Sequence, residues 1–109
     1  RRTVFLRQIA LLAEENGTAA AYCIVTLRPP SKNPMLIPRT AAWMEELCVC
    51  EEYRRRGIGN LLFREACRRA KMLHAESMEL MVWSFNKPAE RFYEQEGMAL
   101  KSETMEIKL

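Results

Sequence analysis

A change of apolar periodicity at a glycine-rich turn constrains the fold most. Thr40 to Cys50 alternates as a strand does, and the turn Gly57-Ile58-Gly59 follows it. Asn60 to about His74 then repeats its apolar residues near the 3.6 period of an amphipathic helix. A further strand pattern runs from Ser77 to Trp83. This strand-helix-strand order predicts two parallel strands joined by a right-handed crossover.

The alternation also predicts which side chains share a face. On the first strand, one face carries Trp43, Glu45, Leu47 and Val49, and the other carries Met44, Glu46, Cys48 and Cys50. The predicted apolar stripe of the helix is Leu61, Leu62, Ala66, Ala70 and Leu73. On the second strand, Met78, Leu80 and Val82 lie together.

The flanking segments complete the element order. Ile9–Ala13 and Ala19–Leu27 read as two strands joined by a hairpin turn at Asn16-Gly17. The proline-rich segment 29–38 is predicted to be a surface loop. A helix of about nine residues is expected after Asn86 as N-cap, with Pro88 in its first turn and Gly97 at its end.

Met98–Leu109 is predicted to form one or two final strands. The expected order is β-β-β-α-β-α-β(β). It describes an α/β protein of the mixed α+β kind, with residues 1–109 as one domain and a largely antiparallel sheet.

Composition excludes several classes of enzyme. The chain has no aspartate, and His74 is its only histidine, which argues against metal-dependent hydrolases and a Ser-His-Asp triad. No metal site is expected. The four cysteines lack metal-ligand spacing and are expected to be buried free thiols in a cytoplasmic protein. No apolar run is long enough to span a bilayer, so no membrane association is expected.

The basic residues cluster around the glycine-rich turn. Seven of them, from Arg54 to Lys71, fall within eighteen positions. They form either a solvated helix face or a site for a polyanion. Nucleic acid is the weaker alternative, because only one aromatic residue, Phe63, interleaves with the run. The turn itself favours phosphate, since Gly57 and Gly59 permit close backbone approach and a helix N-terminus offers unpaired N–H groups. A tight connection that binds no ligand remains the alternative.

Two segments resemble signatures of the GNAT superfamily of acyl-CoA N-acyltransferases. Leu47-Cys48-Val49 followed by Tyr53-Arg54-Arg55-Arg56-Gly57-Ile58-Gly59 resembles its cofactor motif, a strand and then Gln/Arg-x-x-Gly-x-Gly/Ala. Asn86-Lys87-Pro88-Ala89-Glu90-Arg91-Phe92-Tyr93-Glu94-Gln95-Glu96-Gly97-Met98 is similar to its second signature, Asn-x-x-Ala-x-x-Phe-Tyr-Glu-x-x-Gly-Phe/Met. The resemblance runs from Ile9 to Leu109, and the ending is typical of small bacterial members.

The resemblance implies acetyl-CoA as cosubstrate and an amine as acceptor, joined by direct attack in a ternary complex. It places the pyrophosphate on the backbone of Arg56, Gly57, Ile58, Gly59 and Asn60, beside Arg54 and Arg55. The pantetheine arm would pair with Leu47, Cys48 and Val49 between two splayed strands, near Asn86. Tyr93 corresponds to the family's general acid. Glu45 is the favoured base, with Glu46 as the alternative.

The sequence departs from the family pattern at its start, because an opening strand and two helices are missing before the hairpin. Those helices usually form much of the acceptor pocket, so the acceptor is left open. The edge at Ile9–Ala13 has no charge or proline to block pairing, so we expect a longer protein or a homo-oligomer. The alternative function is a CoA-binding regulatory or assembly module without transferase activity.

Overall fold

The computed structural model describes residues 7–30, 32, 34–35 and 40–109. Four strands form one mixed sheet in the order β1-β2-β3-β4. They are β1 (Gln8–Glu15), β2 (Thr18–Arg28), β3 (Ala41–Val49) and β4 (Ser77–Glu79). The first three pair antiparallel and β4 pairs parallel with β3, which confirms the predicted mixed sheet. The helices are α1 (Ile58–Met72) and α2 (Lys87–Gln95), and a short 3₁₀ helix spans Glu51–Tyr53.

The hairpin between β1 and β2 turns where the sequence predicts it. Asn16 and Gly17 both have left-handed backbones, with φ of 53° and 79°. Two left-handed central residues define the type I′ turn, whose twist matches that of the strands it joins. The Asn-Gly pair therefore fixes the register next to the turn, where Glu15 pairs with Thr18 and Glu14 with Ala19; the register shifts between Ala13 and Glu14.

The core lies between one face of the sheet and α1. On the sheet side it includes Cys23 and Val25, both without exposed surface. The helix buries Leu62, Phe63, Ala66 and Ala70. The predicted stripe was wrong at Leu61, which is 70% exposed, because the buried face of α1 turns toward Phe63 instead. The helix also ends earlier than predicted, at Met72, and His74 lies beyond it with a φ of 69°.

A β-bulge in β3 changes the predicted faces of that strand. Ile24 pairs with Glu46 and Val25 pairs with Met44, so Glu45 is an extra residue without a partner on β2. Alternation shifts by one residue there. The single face predicted for Trp43, Glu45, Leu47 and Val49 is therefore wrong, and so is the face predicted for Met44, Glu46, Cys48 and Cys50. Met44, before the bulge, and Leu47 and Val49, after it, all pack against the same core.

The predicted strand Ser77–Trp83 is shorter in the structure. β4 pairs with β3 only from Ala41–Ser77 to Trp43–Glu79. The bulge residue, Glu45, lies two positions after Trp43, and a bulge bends its strand and raises the local twist. We attribute the early separation of β4 to this bend. Leu80 still packs against the core, whereas Met81 and Trp83 are exposed.

The one or two strands predicted for Met98–Leu109 are absent from the structure. A strand needs a neighbouring backbone to pair with, and β4, at the end of the sheet, is only three residues long. Lys101 makes an ion pair with Glu79 at 3.0 Å, but Met105, Ile107 and Leu109 remain exposed. The observed order is therefore β-β-β-α-β-α. Within the predicted loop 29–38, residues 31, 33 and 36–38 lie outside the described residues, and Pro29 and Pro30 are exposed.

Candidate active site

The glycine-rich turn carries two left-handed residues. Arg55 has a φ of 64° and Gly57 has a φ of 80°. Glycine adopts this backbone freely, whereas a non-glycine residue is held there at a cost of about 1–3 kcal/mol. Strain of this size persists only where the surroundings impose it. The backbone conformation of the turn is therefore imposed by the residues around it.

The first turn of α1 has backbone N–H groups that do not bond within the helix. Gly57 is the N-cap and provides no side-chain hydrogen bond, and the helical ladder begins with the Leu61 amide donating to Gly57 O at 3.1 Å. The amides of Ile58, Gly59 and Asn60 precede that first bond, so they have no intrahelical acceptor. Together with the helix dipole they make this end of α1 suitable for an anion.

The three arginines of the turn play different parts. Arg54 Nε donates to the carbonyl of Val49 at 3.1 Å and so ties the turn to the end of β3. Arg56 makes a 3.4 Å ion pair with Glu15, on the β1–β2 hairpin. Arg55 is exposed and makes no ion pair within the described ranges, so it is the arginine of the turn that is most available to a ligand.

Gly59 lies where three parts of the site meet. A Cβ built on this residue would lie 3.5 Å from Phe92 Cε1, on α2, and 3.5 Å from Val49 Cγ2, on β3. Its backbone is helical, so unlike Gly57 it is not required by a left-handed φ. The small residue instead lets the first turn of α1 lie close to both β3 and α2.

The separation of β3 and β4 leaves backbone unpaired beside this point. Leu47, Cys48 and Val49 pair on one side with β2, at Cys23, Tyr22 and Ala21. On the other side β4 has already ended its pairing, at Trp43. The edge of β3 that carries these three residues is thus open to an extended ligand, which could add to it as a strand does.

Asn86 begins α2 as the sequence predicts. Its side-chain oxygen accepts from the Ala89 amide at 3.3 Å, and a proline follows in the first turn. The exposed side-chain amide N–H₂ keeps both of its hydrogens for other partners. The N-cap role is therefore confirmed, and it is compatible with contact to a ligand.

Tyr93 is half-buried in an aromatic cluster between the two helices. Its ring centroid lies 5.9 Å from that of Phe63 and 5.1 Å from that of Phe92. Burial, together with the nearby Cys23, raises the pKa of the Tyr93 hydroxyl. The hydroxyl is therefore protonated at neutral pH, as that of an ordinary tyrosine also is, and this is the form a proton donor needs.

The two candidate bases on β3 have different surroundings. Both are exposed, and Glu45 is the bulge residue. Glu46 is engaged with a neighbour, because its hydrogen bond and its negative charge raise the pKa of Tyr22. Glu45 makes no hydrogen bond or ion pair in the described part of the chain. Its carboxylate is therefore the freer of the two to accept a proton.

Asn60, predicted to bind the cofactor, has its side chain committed elsewhere. Asn60 Nδ2 donates to the carboxylate of Glu96, and Arg64 Nε lies 3.6 Å from the same carboxylate. The Glu96 side chain is only 5% exposed. Sequence reasoning missed this contact. Its only signal was the position of Glu96 on the same helical face as Tyr93.

The remaining predictions concern the cysteines, metal ligands and membrane-spanning helices. Cys23, Cys48, Cys50 and Cys67 are free thiols, as predicted, although Cys48 and Cys50 are exposed. In the ranges that the structure covers, no three histidine, cysteine or acidic residues are grouped as metal ligands. Nor does that part of the chain contain a helix with the length and apolarity needed to cross a membrane.

Comparison with known proteins identifies the family. The model of the Acetyltransferase (GNAT) family matches residues 3–98. The chain belongs to this family, and the resemblance drawn from its two motifs is confirmed. No curated protein matches the chain.

Several solved structures share the fold. A mutant of the BH1408 protein from Bacillus halodurans is 31% identical, with a TM-score of 0.88, over 94% of this chain and 66% of its own. An aminoglycoside acetyltransferase, HMB0005, from an uncultured soil sample is 20% identical, with a TM-score of 0.77, over 94% and 66%. The aminoglycoside N-acetyltransferase AAC(6')-Iy, in complex with CoA, is 15% identical, with a TM-score of 0.78, over 92% and 74%. The chain thus spans just under two thirds of the length of the BH1408 protein.

Proposed function

We propose that this chain transfers an acetyl group from acetyl-CoA to a primary amine by direct attack in a ternary complex. The observation that supports the proposal most is the meeting of three elements at Gly59. Val49, at the end of β3, and Phe92, on the helix that carries Tyr93, each lie 3.5 Å from the position that a Cβ on Gly59 would take. Membership of the GNAT family supports the same reaction class.

We propose that the open edge of β3 and the N-terminus of α1 bind acetyl-CoA. The pyrophosphate would accept hydrogen bonds from the backbone of Arg56 to Asn60, with Arg55 adding positive charge. The pantetheine arm would pair with the backbone of Leu47 to Val49, where β4 has separated from β3. Arg54 and the Asn60 side chain would act on the shape of the site, because both already have protein partners.

The proposed chemistry needs one base and one acid. Glu45 takes a proton from the acceptor ammonium, directly or through water, and the free amine attacks the thioester carbonyl carbon. A carbon–nitrogen bond forms, the carbon–sulfur bond breaks, and Tyr93 gives its proton to the departing thiolate. The nitrogen loses its second proton as the amide forms, and this proton restores the Tyr93 hydroxyl through water. We favour Glu45 over Glu46 because Glu46 already interacts with Tyr22, whereas Glu45 is exposed and unpaired within the described residues.

The acceptor is proposed only as a class, a cationic small amine. Two structural neighbours are named as aminoglycoside acetyltransferases, and an amine of that type would suit an acidic pair on β3. Glu45 and Glu46 together place two exposed carboxylates at the bulge. A lysine side chain or a protein N-terminus remains the alternative acceptor.

The experiment has two stages. Calorimetry with CoA tests binding, and release of free thiol from acetyl-CoA is then followed with a panel of diamines, aminoglycosides, lysine peptides and peptides with free N-termini. We expect CoA binding and thiol release with at least one amine. Binding without release for any amine would support a CoA-binding module without transferase activity. The absence of CoA binding would refute the proposed function altogether.

A further inference from the structure

A buried carboxylate connects the two helices of the candidate active site. Glu96 accepts from Asn60 Nδ2, on the first turn of α1, and lies 3.6 Å from Arg64 Nε, one turn later. With 5% of its side chain exposed, it is almost fully enclosed between the helices. Few carboxylates are buried to this degree unless they are paired, so the contact has a definite geometry.

On the α2 side, Glu96 is joined to the turn that contains Tyr93. The amide of Glu96 donates to the carbonyls of Phe92 and Tyr93 at 3.2 and 3.1 Å, and the Met98 amide donates to the Tyr93 carbonyl at 3.0 Å. Glu96 follows Tyr93 by three residues, so the two side chains lie on one helical face. A shift of Glu96 would therefore carry the Tyr93 backbone with it.

On the α1 side, the contact is made at the end that has free amides. Asn60 is the third residue of α1, and the Leu61 amide that follows begins the helical ladder. The side chain of Asn60 fixes this turn against Glu96 while its backbone amide stays directed along the helix axis. The contact thus spans from the anion-binding turn to the helix of the tyrosine.

We propose that Glu96 is a positioning residue that holds Tyr93 in register with the cofactor-binding end of α1. This inference rests on the proposed function. Glu96 does not touch the reacting atoms; it acts through Asn60 and the Tyr93 turn. A misplacement of about 1 Å at a catalytic group can cost about 10²-fold in rate, so the Asn60–Glu96 contact controls kcat more than CoA affinity.

The test uses three variants and a matched control. Glu96→Leu keeps apolar contacts with the helices but removes the acceptor, and Asn60→Ala removes the donor. We expect each to lower kcat by about tenfold or more, with CoA affinity changed by less than about threefold. Glu96→Gln retains an oxygen for Asn60 and should recover most of kcat. The control, Glu65→Leu, removes a carboxylate that pairs with Arg68 and Arg69 on α1 alone and should leave kcat unchanged.

Non-additivity separates positioning from stability. In Asn60→Ala/Glu96→Leu, kcat should fall no further than in either single variant, because both remove the same contact. Thermal unfolding measured in parallel gives the folded fraction, to which kcat is referred. Wild-type kcat per folded molecule in Glu96→Leu would refute the positioning role. If Glu96→Leu does not fold, Asn60→Ala alone decides.

A spectroscopic measurement keeps this inference distinct from the acetyl-transfer proposal. The protein is labelled with fluorotyrosine, and Tyr93→Phe assigns one of its three tyrosine signals. CoA should shift that signal in the wild type and fail to shift it in Glu96→Leu, although CoA still binds. If the wild type binds CoA but acetylates nothing, the transferase proposal fails and this measurement still tests Glu96. Equal shifts in both proteins, or no CoA binding at all, would overturn the positioning role.

Discussion

The antiparallel and parallel parts of the sheet differ in how far their strands remain paired. β2 and β3 pair from Arg28–Ala41 to Ala21–Val49, and their inner face carries fully buried residues such as Val25. β3 and β4 pair at three positions only. We call the paired strands β1, β2 and β3 the closed part of the sheet, and the place where β3 and β4 no longer pair the open part. The closed part supplies the sheet side of the core. Every residue proposed for binding or catalysis lies beside the open part or on the turn and helices around it.

This difference shows how β3 can belong to the core on one side and to the candidate site on the other. On the β2 side, β3 satisfies its backbone groups within the sheet. On the β4 side, the pairing ends at Trp43, just before the bulge at Glu45, and the stretch Leu47–Val49 has no strand partner. Substitutions in the open part should therefore affect catalysis and ligand binding more than those in the closed part.

The largest effect is expected from Tyr93, which lies on α2 beside the open part of the sheet. Tyr93→Phe should lower kcat by about 10²–10⁴-fold, because the departing thiolate loses its proton donor. CoA affinity measured by calorimetry should change little, since the hydroxyl acts on the leaving group. Tyr22→Phe, in the closed part, is the matched control and should retain turnover. Equal losses in the two variants, with chemistry rate-limiting, would contradict the assignment of Tyr93.

The second-largest effect is expected from Glu45, the bulge residue that we propose as the base. Glu45→Gln should lower kcat/KM by about 10²-fold, since the amide cannot take a proton from the acceptor ammonium. Glu46→Gln, one residue along, should have a much smaller effect. A larger loss in Glu46→Gln would move the base to the residue that now interacts with Tyr22.

The sequence predicted the closed part far better than the open part. Asn16-Gly17 favours a type I′ turn, and both residues have the left-handed φ that this turn requires, so local chemistry determined it. The motifs also located the glycine-rich turn and the N-cap at Asn86. These features depend on neighbours in sequence, which is why pattern reasoning found them.

The open part depends on contacts between residues far apart in sequence. Nothing in the alternation of β3 marks Glu45 as an extra residue, yet the bulge shifts the faces of Leu47 and Val49 and accompanies the early end of β4. The prediction of one or two strands in Met98–Leu109 was wrong for a related reason. An alternating sequence can form a strand only beside a partner strand, and the alternation itself does not show whether one is present. Glu96 was missed because its acceptor role needs Asn60, thirty-six residues away.

The third effect concerns the close packing at Gly59. Gly59→Ala adds a Cβ at 3.5 Å from Phe92 and Val49, an ordinary contact, so the variant should fold with unchanged or slightly higher stability. Gly59→Val adds further methyl groups and should cost about 1–3 kcal/mol by overpacking, and it should weaken CoA binding. Denaturant unfolding and calorimetry measure the two effects. Unchanged CoA affinity in a folded Gly59→Val would argue against a pyrophosphate at this turn.

The smallest effect separates the two roles of Asn86. Asn86→Ala removes the oxygen that accepts from the Ala89 amide and should cost about 1 kcal/mol in the free energy of unfolding. Asn86→Asp keeps an oxygen at the N-cap, so its stability should match the wild type, but it lacks the amide hydrogens. If the Asn86 amide also contacts the pantetheine arm, Asn86→Asp should bind CoA several-fold more weakly despite its intact cap. Wild-type CoA affinity in Asn86→Asp would restrict Asn86 to the helix N-terminus and leave the open edge of β3 as the main determinant of pantetheine binding.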